Sequence, residues 1–172
     1  FGSSVALLTH LLRDQADALV QMVRAATGRV DEVEDSLLAE RVGQTPFYAY
    51  DRRLLRSRAA ELRQALPAGI KLHYAMKANP MPALVGFMVG LVDGIDVASA
   101  GELKVALDAG ADPQEISFAG PGKREAELRQ AVASGVLVNI ESQREVLLLG
   151  AIGAELGLPA RVAVRVNPDF EL

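Results

Sequence analysis

The chain has 172 residues, of which 50% are hydrophobic and 23% are charged, and its formal net charge is −4. This length allows a sizeable core in one or two domains, and the acidic balance gives no indication of a nucleic-acid-binding surface. The lack of cysteine excludes disulfides and thiolate chemistry, and two histidines are too few for a histidine-rich metal site. No apolar run is long enough to predict a membrane span. We expect a soluble, cytoplasmic protein without a metal site and, because the sequence opens at Phe1, a piece of a longer protein.

Residues 1–42 form a segment with a helical, heptad-like pattern. Its apolar positions are spaced alternately by four and three residues: Leu12, Ala16, Leu19, Val23, Ala26, Val30, Val33 and Leu37. Gly28 weakens the pattern, so the segment is either one long helix or two helices with a break near residues 28–35, the second ending at Gly43. Two interpretations stay open: an amphipathic helix packed on neighbouring residues, and a coiled coil that mediates dimerisation.

From Thr45 onward, strand-like apolar runs alternate with helical patterns. Strands are predicted at 46–51, 70–76, 94–99, 115–120, 136–142 and 161–168, and helices at 52–66, 80–90, 100–110, 123–135 and 143–157. Asp51 is expected to cap the first of these helices, and left-handed glycines are expected to end the others at Gly90, Gly110, Gly135 and Gly157. Nearly continuous apolar strands are typical of parallel strands that are covered on both faces. The repeat of roughly 22 residues predicts an α/β fold with right-handed crossovers.

Two architectures fit this order, a doubly wound open sheet and a (β/α)8 barrel. No G-x-G-x-x-G sequence follows the first strand, which removes the strongest reason for a dinucleotide-binding fold. Polar residues follow the strands instead: Lys77 and Asn79, Asp96 and Ser99, Gly120 to Lys123, Asn139 and Glu141, Arg165 and Asn167. Barrel enzymes build their sites at this end of the strands. We therefore predict a partial barrel of five strands after Ile70, because a complete barrel has eight.

Lys77, in the stretch KLHYAMKANP (residues 71–80), is the first candidate for chemistry. On the residues alone, it is either a surface lysine at a strand end or a lysine that forms a Schiff base with a carbonyl group. The second role requires that the amine spend time unprotonated, which partial burial or a nearby cation favours. Tyr74, Met76 and Ala78 are the expected apolar neighbours. Arg165 is the expected cation.

Asp96 is the second candidate, and two interpretations of it stay open. It is either a residue bonded to backbone amides at the end of its strand or a carboxylate of a functional site. Ser99 and Glu102, which follow it, are explained by a capping box at the start of the next helix. The same applies to the loop AGPGKRE (residues 119–125): it resembles an anion cradle, but a tight turn explains it better.

Arg165 and His73 complete the set of candidates. A buried arginine at the end of the last strand needs an anionic partner, for which Glu141 and Asp96 are available. His73 alternates with apolar neighbours within a strand, and we expect a hydrogen-bonded core histidine rather than a catalytic base.

Five stretches together resemble a known family: TPFYAYD, HYAMKANP, DVASAGELKVALDAG, ISFAGPGKREAELRQAV and VRVNPDFEL. In this order and spacing, residues 43–172 are similar to the N-terminal half of pyridoxal-phosphate-dependent ornithine, diaminopimelate and arginine decarboxylases, which have the alanine-racemase-like fold. Within this group, the branch associated with exosortase systems looks nearest. Residues 1–42 resemble a cytoplasmic helix of CorA-type metal-ion transporters, which would make the chain a fusion joined near residues 41–43.

The resemblance implies roles for particular residues. Lys77 matches the lysine that forms the Schiff base with pyridoxal phosphate. Asp96 matches an acidic position near the cofactor, and Arg165 matches a basic residue beneath it. Glu102 also matches a family position, although capping explains it equally well.

The resemblance further implies an amino-acid substrate and a homodimer. The family's phosphate-binding strands, the histidine that stacks on the ring, the acid facing the pyridine nitrogen, the C-terminal β-domain and the cysteine donated across the dimer have no counterpart in these residues. We therefore expect the 172 residues alone to be inactive. Two alternatives stay open: a self-associating helical scaffold that carries a non-catalytic barrel fragment, and a racemase or cofactor carrier on the same fold.

Overall fold

The structure, a computed structural model, describes residues 40–43 and 46–166. The chain divides into two units, residues 1–49 and 50–172, and the elements named below belong to the second. Most of the heptad-like segment, including its predicted break, lies outside the described residues. Residues 40–42 are helical, and Gly43 follows them with a φ of 77°, as expected of a glycine that ends a helix. The predicted domain boundary between residues 42 and 43 stays a prediction.

Five strands and five helices alternate in the described part of the second unit. The strands are β1 (His73–Ala75), β2 (Gly94–Val97), β3 (Ile116–Phe118), β4 (Leu137–Ile140) and β5 (Val162–Val164). The helices are α1 (Arg52–Ala65), α2 (Pro82–Val89), α3 (Ala100–Asp108), α4 (Glu125–Ser134) and α5 (Gln143–Leu156). Short 3-10 turns follow β1 at Met76–Ala78 and precede β3 at Pro113–Glu115.

The five strands form one parallel sheet in the order β1-β2-β3-β4-β5. A doubly wound sheet reverses its strand order at a switch point, whereas a barrel adds each strand beside the last. The sequential order therefore confirms the prediction of a partial barrel over the doubly wound alternative.

The core lies between the sheet and its helices. Alternate strand residues pack against apolar helix residues and are almost fully buried: Ile95, Val97, Ile116, Phe118, Val138 and Ile140. The opposite face of the sheet carries polar side chains, starting with His73 and Asp96. The expectation of apolar strands covered on both faces is therefore wrong, because the helices cover one face and the strands alternate.

Two local expectations are also wrong. First, residues 46–50 form no strand. The predicted cap of α1 does form, since the Asp51 carboxylate accepts from Arg53 N–H at 2.7 Å. Gly90 ends α2 in a right-handed conformation with φ −79°, because the next amides continue the turn by bonding to Met88 O. Gly110, Gly135 and Gly157 do have positive φ, as predicted. In the described residues, no helix is long and apolar enough to cross a membrane.

Candidate active site at the ends of the strands

Lys77 lies in the 3-10 turn that directly follows β1. The preceding residue, Met76, is completely buried in the core, so the turn is anchored on the helix side of the sheet. Lys77 itself is exposed. Its exposure agrees with the interpretation as a surface lysine at a strand end, and the partial burial that would favour a Schiff-base role is not observed, because the turn directs Met76 rather than Lys77 into the core.

Asn79 fixes the far end of this turn through three hydrogen bonds. Its side-chain N–H donates to the Tyr50 hydroxyl at 2.7 Å, and its side-chain oxygen accepts from Met81 N–H at 3.0 Å. The Tyr74 hydroxyl donates to its backbone carbonyl at 2.9 Å. Burial, followed by the proximity of Tyr50, raises the pKa of Tyr74, so this hydroxyl stays protonated as a donor. We call these contacts of Asn79 with Tyr50, Tyr74 and Met81 the Asn79 clamp.

The Lys77 amine has no hydrogen bond or ion pair with any residue that the structure describes. The other three lysines are all paired: Lys71 with Glu115, Lys104 with Asp108, and Lys123 with Glu145. An amine without a carboxylate partner has no ion pair to break before it reacts. Lys77 thus differs from the other three lysines in that its side chain forms no ion pair with the described residues, while hydrogen bonds and burial of its neighbours hold its backbone in place.

Asp96 lies on β2 beside the strand that leads to Lys77, since Ala75 is its register partner. One carboxylate oxygen, Oδ1, lies 3.0 Å from His73 Nδ1 and accepts from the Ser117 hydroxyl at 2.9 Å. Asn139 in turn donates to the Ser117 hydroxyl at 3.3 Å. The prediction that backbone amides satisfy Asp96 is wrong, because neighbouring side chains on the polar face do so.

These contacts join β1, β2, β3 and β4 through one row of polar side chains, which we call the polar row: His73, Asp96, Ser117 and Asn139. His73 is hydrogen-bonded, as predicted, although it lies on the polar face rather than in the apolar core. The second oxygen of Asp96, Oδ2, accepts no hydrogen bond from the described residues, and the side chain is 44% exposed. Asp96 therefore has one occupied and one available oxygen.

Arg165 follows β5 at the opposite edge of the sheet from β1. Its guanidinium lies 3.6 Å from Glu141, which also accepts from Gly120 N–H at 2.7 Å. The predicted partner Glu141 is confirmed, but the arginine is 61% exposed rather than buried. The structure does not bring Arg165 to Lys77, because three strands separate them in the sheet. Asn167 lies outside the described residues.

The sequence placed Lys123 among the polar residues that follow the strands but did not indicate that its side chain is buried. It is 3% exposed, and its ammonium donates to the carbonyls of Gly120 (2.6 Å) and Asn139 (2.8 Å) and pairs with Glu145 at 3.2 Å. Gly120 has a φ of 128°, which a residue with a side chain rarely adopts. The loop is a tight turn closed by its own lysine, in agreement with the favoured interpretation.

The capping interpretation of Ser99 and Glu102 is confirmed with one difference. Ser99 accepts from Glu102 N–H at 3.2 Å, while the Glu102 carboxylate accepts from Ala98 N–H at 2.6 Å rather than from Ser99. Both side chains are used at the start of α3. Groups of three or more acidic or histidine side chains arranged to hold a metal ion do not occur in the described ranges.

A family model described as the pyridoxal binding domain of pyridoxal-dependent decarboxylases matches residues 52–172. The chain belongs to this family. Diaminopimelate decarboxylase from Aquifex aeolicus is 43% identical over 135 residues, which cover 78% of this chain and 32% of the relative. The enzyme of the same name from Campylobacter jejuni is 41% identical over 129 residues, which cover 74% of this chain and 32% of the relative. The chain thus spans about a third of the length of the curated relatives that it matches.

The fold agrees with solved members of the family. The crystal structure of diaminopimelate decarboxylase from Helicobacter pylori complexed with L-lysine superimposes with a TM-score of 0.66 at 36% identity, covering 73% of this chain and 32% of that one. The predicted family and the partial barrel are confirmed. The narrower assignment to the exosortase-associated branch stays a prediction.

The described residues fit part of a pyridoxal phosphate site. Lys77 offers an amine that has no hydrogen bond or ion pair with the described residues, and Asp96, on the neighbouring strand, offers one carboxylate oxygen. The loop at residues 120–123 does not form a phosphate cradle, because Gly120 N–H is bonded to Glu141 and the Lys123 ammonium is directed inward. The fit therefore concerns covalent attachment and orientation of the cofactor, not its phosphate.

Proposed function

We propose that this chain is the N-terminal, pyridoxal-binding part of an amino-acid decarboxylase and that Lys77 is the residue that attaches the cofactor covalently. The observation that carries this proposal is that the Lys77 amine has no hydrogen bond or ion pair with the described residues, although its turn is fixed by Met76 and the Asn79 clamp. Pyridoxal phosphate, when bound, supplies an electron sink for the electrons left behind when carbon dioxide departs. A lysine on a rigid strand end holds such a group at a defined position.

Asp96 and Arg165 are the other proposed cofactor-binding residues. Asp96 has one carboxylate oxygen without a hydrogen bond from the described residues, and this oxygen could accept a hydrogen bond from the cofactor or the substrate. Arg165 contributes a positive charge held by Glu141 at the far edge of the sheet. In a closed barrel, all strand ends face a common site, which would bring both edges of this sheet around one ligand.

We further propose that an α-amino acid is the substrate and that the working protein is a homodimer. The relatives named above support diaminopimelate as the first substrate to test. The described residues lack a phosphate cradle, and the chain matches only 32% of the length of each of these relatives. We therefore expect these 172 residues alone to release no carbon dioxide from diaminopimelate or ornithine, and turnover by the purified chain would contradict this. A cytoplasmic location stays a prediction from the sequence.

Trapping of pyridoxal phosphate with borohydride tests the role of Lys77. The purified chain is mixed with pyridoxal phosphate, reduced, digested, and analysed by mass spectrometry for label on Lys77 and on Lys104. Lys104 is an internal control, because it is exposed and lies on a helix away from the strand ends. In the unaltered chain, we expect the label mainly on Lys77. In Lys77→Arg, which keeps the positive charge, we expect the total label to fall to the weak background seen at Lys104.

Equal labelling of Lys77 and Lys104 in the unaltered chain would overturn the proposed role. The self-association of residues 1–42 would then be the next property to measure, by sedimentation of the whole chain and of a chain that begins at residue 43.

A further inference from the structure

His73 and Gly94 form a close contact between β1 and β2. The two residues are register partners, and a Cβ built on Gly94 would lie 2.5 Å from His73 Cε1 and 2.6 Å from His73 Nε2. The backbone carbonyl oxygen of Glu115 would lie closer still, so any side chain at Gly94 would collide with both this carbonyl and the imidazole. The glycine leaves the space through which the ring crosses the neighbouring strand and reaches Asp96, two residues further along β2.

This contact determines what the two ring nitrogens can do. Nδ1 faces Asp96 Oδ1 at 3.0 Å and must carry a proton there, since an ionised carboxylate only accepts hydrogen bonds. Nε2 is directed against the backbone of β2 at Gly94. A general base needs a free nitrogen that reaches the substrate, so this placement argues against a catalytic base.

The Asp96 carboxylate is held from both sides. His73 on β1 and Ser117 on β3 both bond to the same oxygen, Oδ1. Two donors from the flanking strands fix the rotation of the carboxylate and leave Oδ2 without a partner among the described residues. A carboxylate needed only for folding would gain more from using both oxygens, as Glu127 does at the start of α4.

We propose that His73 is a positioning residue, which holds Asp96 so that its Oδ2 is presented to an N–H or O–H donor of the ligand bound at Lys77. The inference rests on the proposed function, since that ligand is pyridoxal phosphate or the amino acid joined to it. His73 acts through Asp96 and does not touch the ligand. The essential property of His73 is its Nδ1–H donor, not the volume of its ring.

Two substitutions at residue 73 separate the donor from the ring. In His73→Asn, the side-chain N–H lies near the former position of Nδ1, so the donor is kept and the ring is lost. In His73→Phe, the ring over Gly94 is kept and the donor is lost. Ile95→Val is the matched control, because Ile95 neighbours Asp96 on β2 but is buried on the helix-covered face.

The readout is the ratio of borohydride-trapped pyridoxal phosphate on Lys77 to that on Lys104, together with urea unfolding of each variant. We expect His73→Phe to lower the ratio about tenfold, the effect of losing one hydrogen bond to a charged group. We expect His73→Asn and Ile95→Val to stay within about threefold of the unaltered chain, because the donor is kept in both. If His73→Phe does not fold, His73→Leu replaces it, since leucine has nearly the shape of asparagine without a donor.

Each outcome decides between the two proposals. If the unaltered chain prefers Lys77 and the variant without a donor keeps that preference, the role of His73 is overturned while the role of Lys77 stands. If His73→Asn lowers the labelling ratio and His73→Phe does not, the ring serves packing only, and the inference is overturned. If the unaltered chain shows no preference for Lys77, the proposed function fails and this inference fails with it.

Discussion

The ends of β1 and β2 carry a lysine and a carboxylate, and so do the ends of β3 and β4, but the two regions use them differently. Lys123 and Glu145, beyond β3 and β4, are almost completely buried, and Lys123 has three acceptors around its ammonium. Lys77 and Asp96, by contrast, are exposed and partly exposed, and each has a polar atom without a hydrogen bond or ion pair among the described residues. The cost of burying a charge explains the first arrangement, because only a fully paired ammonium is tolerated in a core.

The second arrangement has no such explanation in folding. Lys77 and Asp96 contribute uncommitted atoms from positions that the Asn79 clamp and the polar row hold in place. Rigid backbones that present unpaired polar groups are typical of sites that await a ligand. The difference between the two regions thus identifies Lys123 as a structural lysine, whereas the role of Lys77 rests on the proposal made above.

The largest expected effect is on stability and concerns Lys123. Lys123→Met leaves the Glu145 charge buried without its partner, which should lower the free energy of unfolding by about 3–5 kcal/mol. Lys77→Met removes an exposed side chain that is unpaired among the described residues, and should change the same quantity by less than about 0.5 kcal/mol. Urea unfolding followed by circular dichroism measures both.

A double variant serves as the control for this prediction. Lys123→Met combined with Glu145→Leu replaces the buried pair by apolar side chains and should recover part of the loss. Recovery should be incomplete, because Glu145 also accepts from Glu141 N–H at 2.8 Å. If Lys123→Met costs no more than Lys77→Met, the contrast between the two lysines is wrong.

The sequence was sufficient to predict the order of the strands and helices from α1 onward and the helix caps at Asp51 and Ser99. These features depend on residues close together in the chain, and the caps form as predicted. The assignment of the two faces of the sheet failed, because the strands of three or four residues are too short to show their alternation. Residues 46–50 were assigned to a strand because their aromatic side chains favour one, but they pair with no neighbouring strand.

The pairs that define the site join residues far apart in sequence. Asp96 meets His73 across 23 residues, and Lys123 meets Glu145 only once β3, β4 and α5 are in place. No local spacing pairs such residues, so the sequence identified Lys77 and Asp96 from their positions at strand ends and by resemblance, but not the side chains that hold them. The glycine at residue 94 was a usable signal, since a glycine within a strand often marks a close approach.

A smaller effect is expected at the Asn79 clamp. Asn79→Ser keeps a side-chain acceptor for Met81 N–H but is too short to reach the Tyr50 hydroxyl, and Tyr50→Phe removes the same hydrogen bond from the other side. Each should lower the free energy of unfolding by about 1 kcal/mol and lower the labelling of Lys77 relative to Lys104.

The double variant should cost little more than either single one, because both remove one interaction. Strictly additive losses in stability would show that Asn79 and Tyr50 act independently, and the clamp would then not explain the fixed position of the turn at Lys77.

The smallest expected effect is a change in the pH dependence of stability. It comes from Glu127 on α4, whose two carboxylate oxygens both accept hydrogen bonds. The Arg124 N–H, followed by the Ala100 N–H and the Arg124 guanidinium, lowers the pKa of Glu127, while burial opposes this. A carboxylate whose pKa is lower in the folded state stabilises the fold above its unfolded pKa of about 4.3. That contribution is lost as the pH falls through the lower, folded value.

We therefore expect the free energy of unfolding to fall below pH ~4.5, and Glu127→Gln to make this fall shallower. Glu125→Gln, on the same helix but 59% exposed, is the matched control and should leave the pH profile unchanged. An equal flattening by both substitutions would mean that the general negative charge of α4, rather than the bonds of Glu127, sets the profile. Glu127, which uses both of its carboxylate oxygens, would then no longer serve as the structural contrast to Asp96, whose Oδ2 accepts no hydrogen bond from the described residues.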